Sequence, residues 1–226
     1  MLFRSPLKVF TVVRIDGAPA IRISGEGYGV LSTRETFSNY HLRLEFKWGE
    51  KRYSRAGRPK NGGLMYHAHG EYGEWSGRWK SALQFQIAEG SCGDFIVMGD
   101  TTGRATVRAD EDGKTKNPTY DPAGKPLTLD VTAANKGKCA RSENFEKPAG
   151  EWNTFEVLCV GDKSVHLVNG RVVARADNFL QGKSGRTKSL TSGHIQLQLE
   201  AAEEYFRNIE IRPLDKIPPE YAELKK

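Results

Sequence analysis

Along most of this chain apolar and polar side chains alternate with a period of two, the mark of strands that bury one face and show the other to water. Residues 41–48 set Leu42, Leu44, Phe46 and Trp48 on one side and Arg43, Glu45 and Lys47 on the other. Residues 63–69 send Leu64, Tyr66 and Ala68 inward, opposite Met65, His67 and His69. Residues 83–87 bury Leu83, Phe85 and Ile87 and display Gln84 and Gln86. Two further runs, 154–160 and 164–168, flank a Gly161-Asp162 turn. Asn169-Gly170 then leads into residues 171–174, a strong hairpin signal because both central positions favour positive φ. Near the end, Ile195, Leu197 and Leu199 point in while Gln196, Gln198 and Glu200 point out, and residues 205–211 read as one more strand. No segment predicts a long helix.

Two stretches break the alternation. Residues 49–62 are rich in Lys, Arg and Gly, and residues 108–150 are polar and carry Pro118, Pro122, Pro126 and Pro148. The second is too long for a plain connector, which predicts a strand near 127–132 and long loops able to wall a binding site. Neither stretch is low in complexity, no repeat is present, and residues 1–226 read as one domain. The expected fold class is all-β: a sandwich of two antiparallel sheets with long loops.

Composition narrows the function. With 38% hydrophobic and 27% charged residues the chain can bury a core and stay in solution, and its 24 glycines suit many tight turns. No apolar run is long enough to cross a bilayer, and residues 1–10 carry Arg4 and Lys8 with neither an apolar stretch nor a small-residue cleavage site. The formal net charge is +6 and the pI about 9.2. Because the basic residues are scattered and no reader motif occurs, nucleic acid is not the expected partner. Cys92, Cys139 and Cys159 lack metal-ligand spacing and cannot all pair with one another. Cys159 alternates with apolar residues and reads as core; the count allows a Cys92–Cys139 disulfide without requiring it. Trp152 also reads as core, and Arg207-Asn208 as an anchor for the last strand.

Six motifs in order add a resemblance. Asn61-Gly62-Gly63-Leu64-Met65-Tyr66-His67 is similar to an Asn-Ser-Gly strand, with Gly in place of the usual Ser. Gln84-Phe85-Gln86-Ile87 with Glu89-Gly90 and Gly93-Asp94, then Lys147-Pro148-Ala149-Gly150-Glu151-Trp152-Asn153-Thr154, follow the same pattern. Asn169-Gly170, Ile195-Gln196-Leu197-Gln198 and Phe206-Arg207-Asn208-Ile209 complete it. The chain thereby resembles the 3-keto-disaccharide hydrolase family from about residue 25 to residue 213. The resemblance implies a concanavalin-like jelly-roll sandwich, activity on oxidised glycosides by hydrolysis or elimination, and a periplasmic or secreted location.

Strand parity makes a spatial prediction that does not need the family. If the strands are neighbours, Glu45, His67, His69, Gln84, Gln86, Gln198 and Glu200 share faces opposite the core, over a groove in one sheet. Carboxamides both donate and accept hydrogen bonds, as sugar hydroxyls require, and Asn61 adds one more. Tyr66, Tyr72, Trp75 and Trp79 supply flat apolar surfaces nearby. Cleaving a 3-keto-glycoside at its acidified C2 needs a base, an acid for the leaving oxygen and a group polarising the ketone. His67 is the expected base, since imidazole titrates near neutrality; Glu89 or Asp94 is the expected acid. His67 and His69, two apart, with Glu89 and Asp94, form a candidate divalent metal site. The rival reading is a lectin-like sugar-binding module. A conventional glycosidase fits less well: paired carboxylates roughly 5 Å apart would be needed, and Gln84 and Gln86 occupy the kind of strand where they would sit.

Overall fold

The computed structural model describes residues 9–108, 116–182 and 185–222. Two antiparallel sheets pack face to face. The larger runs β1 (Phe10–Ile15), β2 (Ala18–Ile23), β17 (Ala202–Pro213), β4 (Tyr40–Arg52), β12 (Asn153–Val160), β13 (Lys163–Val168), β14 (Arg171–Gln181), β8 (Thr101–Arg108) and β10 (Lys125–Leu129). β15 (Lys188–Ser189) pairs with β14 and β9 (Thr119–Tyr120) with β8. The smaller sheet runs β11 (Lys138–Cys139), β7 (Phe95–Met98), β6 (Ser81–Ala88), β5 (Asn61–His69), β16 (His194–Glu200) and β3 (Tyr28–Ser32). This is the β-sandwich the alternation predicts, of the jelly-roll kind the resemblance implies, with one helical turn, Pro219–Ala222, near the end of the described chain. No helix among the described residues is long and apolar enough to cross a membrane.

The period-two residues build the core. Leu42, Leu44, Phe46, Phe155, Val157 and Phe206 from the larger sheet meet Leu64, Tyr66, Phe85, Ile87, Leu197 and Leu199 from the smaller one. Phe155 is the hinge of this contact: its ring stacks on Phe46 at 5.2 Å and lies 5.0 Å from Phe85 across the layer. Each large side chain so buried contributes about 1.5–3 kcal/mol. Asn169 (φ 51°) and Gly170 (φ 75°) turn the β13–β14 hairpin in the left-handed region, as the sequence predicts.

Cys92, Cys139 and Cys159 are all free and buried, so the Cys92–Cys139 disulfide does not form. Burial pushes the Cys139 and Cys159 thiols up to about 12, which leaves both protonated and inert. Trp152 is not core. It lies half-buried outside the larger sheet, under the Arg207 guanidinium at 3.9 Å, with Nε1 donating to Asp16 at 2.7 Å.

In β5 the predicted parity fails. β5 carries a bulge between Tyr66 and His69, and His67 sits there at φ 49°. The extra residue reverses the inside–outside order. His67 is turned into the interior between the rings of Tyr40 (5.8 Å) and Tyr66 (5.6 Å), while Met65 and Ala68 join a cluster with Trp79, Ala82 and Met98 on the outer face. The backbone of Gly193 closes over the bulge: a Cβ there would strike the His67 and Ala68 main chain.

Candidate functional site

The outer face of the smaller sheet holds most of the predicted sugar-binding groups. One row across it reads Ile96, Gln84, Met65, Gln196 and Ser32; the next reads Gln86, Gly63, Gln198 and Val30. Asn61 opposite Ala88, and Glu200 opposite Tyr28, lie one row further out. Gln84, Gln196 and Gln198 are buried, whereas Asn61, Gln86 and Glu200 are half-open. The approach is therefore over these last three.

The carboxamides form one hydrogen-bonded chain. Gln84 Nε2 donates to Gln198 Oε1 (3.3 Å) and to Gln86 Oε1 (2.5 Å), Gln86 Nε2 donates to Asn61 Oδ1 (2.7 Å), and the Glu200 carboxyl lies beside Asn61, whose amide favours its ionised form. Each member fixes the next, so the outermost groups are held in one orientation before any ligand arrives. Gln196 Nε2 is separately tied to Ser32 Oγ and Tyr72 Oη at 3.1 and 3.2 Å.

Gly63 lies in the middle of this network, where a Cβ would collide with Gln84 Nε2 and Gln198 Oε1. Gly63→Ala must push two carboxamides apart. It is expected to cost about 1–2 kcal/mol, as overpacking of a filled site does. Urea unfolding monitored by tryptophan fluorescence would show it; an unchanged midpoint would mean the amides are free to move aside.

Aromatic residues wall the face. Trp75 and Trp79 close a turn by a mutual bridge, and Trp79 meets the half-exposed ring of Tyr28 edge-on at 6.4 Å. Arg78 lies over Tyr28 at 4.2 Å, and Lys80 over Tyr72 at 4.7 Å. Burial raises the Glu200 carboxyl above its ordinary range, offset by the Asn61 hydrogen bond and the charges of Arg78 and Lys138. A carboxyl so placed holds a proton more readily than a free one, which suits it to proton transfer.

The structure thus brings together Asn61, Trp75, Trp79, Gln84, Gln86, Gln198 and Glu200, and separates them from the rest of the predicted set. His67 is fully buried with neither ring nitrogen bonded, and burial, then the neighbouring His69, lowers it to about 4. A neutral imidazole under the sheet cannot reach a sugar above it. Tyr66 is no sugar platform either: its hydroxyl is committed in the core to Ser164 (2.8 Å) and His166 (2.9 Å). Glu45 lies on the opposite sheet, held by Arg207 Nε at 2.7 Å and Asn208 Nδ2 at 3.1 Å. That contact gives Arg207-Asn208 the anchoring role read from the sequence.

Glu89 and Asp94 organise loops. Glu89 takes Arg52 at 2.7 Å and the Lys60 amide at 2.9 Å. Asp94 binds both the main chain and guanidinium of Arg141 at 3.0 Å. His69 is engaged at both nitrogens, with the His67 carbonyl (3.0 Å) and Asp100 (2.9 Å). These four do not converge, and no three His, Cys, Asp or Glu side chains among the described residues come together as a metal cage. The predicted metal site does not fit the residues present.

Arg78, Lys138, Tyr28 and Gln196 belong to the face but were not singled out from the sequence. Gln196 was legible in the alternation; the other three reach the face from a turn or an edge strand. A depression of about 1170 Å³ also lies beside β8, β13 and β14, lined by Arg104, Lys163 and Arg175 among others. It contains no predicted site residue and no comparable amide network, and the carboxamide face is the better candidate on chemistry.

Fold and site together define an all-β sandwich with an amide-rich, aromatic-walled face suited to a small polyhydroxylated ligand. The chain belongs to the family described as the 3-keto-alpha-glucoside-1,2-lyase-like domain, which it matches over residues 11–212. Two solved structures from Parabacteroides distasonis ATCC 8503, each described as a candidate glycosyl hydrolase, share 20% identity with it. The first has a TM-score of 0.52 and covers 94% of this chain and 98% of its own; the second has 0.50, with 92% and 85%. At this identity the likeness is one of fold. No curated protein matches the sequence significantly. Membership of the family supports a carbohydrate-active function.

Proposed function

We propose that this protein cleaves 3-keto-glycosides, with Glu200 as the base that takes the C2 proton. The observation that carries the reading is the placement of Glu200: a half-buried carboxyl at the open end of a fixed amide chain, under the positive potential of Arg78 and Lys138.

The chemistry follows from the ketone. A carbonyl at C3 acidifies the C2 hydrogen, because the electron pair left behind spreads onto O3 as an enolate. Glu200 accepts that proton: the C2–H bond breaks and an O–H bond forms on the carboxyl. Arg78 and Lys138 stabilise the charge growing on O3. The enolate then collapses, C3=O reforms, a C1=C2 double bond appears, and the C1–O bond breaks. The leaving oxygen takes up the proton that Glu200 has just received, so the carboxylate is restored. Adding water across the enone turns elimination into net hydrolysis. Asn61 and Gln86, whose amides can both donate and accept, orient the ring hydroxyls, and Trp79 and Tyr28 offer apolar faces to it.

Incubating the protein with a panel of 3-keto-glucosides and their unoxidised counterparts tests this. Aglycone release is expected from one or more keto forms and from none of the parent glycosides. Sugar binding without release from any keto form would replace the enzyme reading with that of a lectin-like module.

A further inference from the structure

One carboxyl stands apart from every role assigned above. Glu204, on β17, points between the sheets, is fully buried, and has neither oxygen hydrogen-bonded. Leaving an ionised carboxylate in such a place is far costlier than leaving a neutral acid. The carboxyl fills the space directly beneath Gly62, where a Cβ would collide with Glu204 Oε1. Gly62 follows Asn61, which neighbours Glu200 on the far side of the same sheet. The two acids therefore flank the beginning of β5, one below it and one above.

The residues that strand register places beside Glu204 are uncharged. In its own row β2 presents Ile23 and β4 presents Trp48, whose Nε1 is likewise buried without a partner. β5 presents Gly62, with Ile87 of β6 beside it. Lys60 lies 6.0 Å from the Trp48 ring. The charge that reaches Glu204 is that of Glu200; burial first, and then that charge, drive the Glu204 carboxyl well above its ordinary range. Two such groups titrate as a pair rather than singly.

We propose that Glu204 and Glu200 form a coupled acid pair across β5, in which Glu204 is the proton-holding member and sets the alkaline limit of the site. While Glu204 keeps its proton, the enolate forms beside one carboxyl that turns neutral as it accepts the C2 proton. Once Glu204 loses its proton, a second negative charge stands behind the sheet and opposes the growing charge on O3. Glu204 touches no substrate and is a positioning residue. The link to turnover rests on the reading of Glu200 as base; the pairing of the two acids does not.

Carbon-13 NMR of glutamate-labelled full-length protein, titrated with pH, separates the two. The expected result is one carboxyl still protonated at neutral pH, missing from E204Q and titrating about tenfold in proton concentration more readily in E200Q, where its charged neighbour is gone. An ionised Glu204 at neutral pH, or a titration unmoved in E200Q, overturns the pairing even if 3-keto-glycosides are cleaved. In the pH–rate profile on a cleaved 3-keto-glucoside, E204Q is expected to lose the descending alkaline limb, with at least about threefold higher kcat than wild type on that limb. An alkaline limb identical in the two proteins overturns the role in turnover. Should E204Q fail to fold, the comparison of wild type with E200Q still decides the pairing.

Discussion

Glu200→Gln is expected to lower kcat on a 3-keto-glucoside by about 10²–10⁴-fold, the usual worth of a positioned general base. The amide keeps the size of the side chain and its place beside Asn61, so the fold and the outer part of the network survive. It cannot accept the C2 proton, so the loss falls on kcat rather than on KM. His67 offers the contrast. It lies beneath the sheet, fully buried, and substituting it should act through stability alone. Steady-state kinetics of the two variants beside wild type, with circular dichroism to confirm folding, provide the check. A Glu200→Gln protein with wild-type kcat would remove Glu200 as the base.

Acid is expected to weaken the fold through two buried imidazoles. Burial lowers His67 to about 4, with a smaller contribution from His69, and lowers His166 to about 4 against a hydrogen bond to the Gly93 carbonyl. In the unfolded chain both titrate near 6.5. Above that value the histidines are neutral in both states and cost nothing. As pH falls through 6.5 the unfolded chain takes up protons that the folded chain refuses, and stability drops until about pH 4, where the folded protein binds them too. Each imidazole removes about 3 kcal/mol over this window. Glu204 acts in the opposite sense: its raised carboxyl penalises folding above the unfolded value of 4.5 and relieves that penalty on acidification. The net slope is a contest, so the histidine share must be isolated by a variant. His166→Phe removes one imidazole together with its bonds to Tyr66 and Gly93. Urea unfolding at pH 7.5 and 4.5 should show a smaller loss on acidification than in wild type, even though the variant starts less stable. An equal loss in both would mean that His166 already accepts a proton in the folded state.

These results also locate the limit of a linear reading of the chain. Alternation in residues 41–48, 83–87 and 195–200 sorts Leu44, Phe85 and Leu197 from Glu45, Gln84 and Gln198 correctly, because a regular strand has no other way to bury one face. The same rule misplaces His67 for a local reason: one extra residue in β5 turns it inward at positive φ, and nothing in Tyr66-His67-Ala68-His69 announces a bulge. It also puts Glu45 in the groove, since parity tells which way a side chain points but not which sheet its strand joins. Glu89 and Asp94 carry the right chemistry beside the right strand, yet Arg52 and Arg141 claim them from 37 and 47 residues away.

By itself, then, the order of residues marked the strands of the alternating runs, the hairpin at Asn169-Gly170 and the motifs that resemble the family, but not β1, β2, β3, β7 or β8, whose short or partly polar runs carry no clear period of two. Which acid stands at the mouth of the amide-bearing face was decided only when β16, β5 and β6 were laid side by side and β17 was tucked beneath them. Glu200 meets Asn61, and Glu204 meets Gly62, across about 140 residues of chain, and contacts of that span exist only in the assembled sandwich.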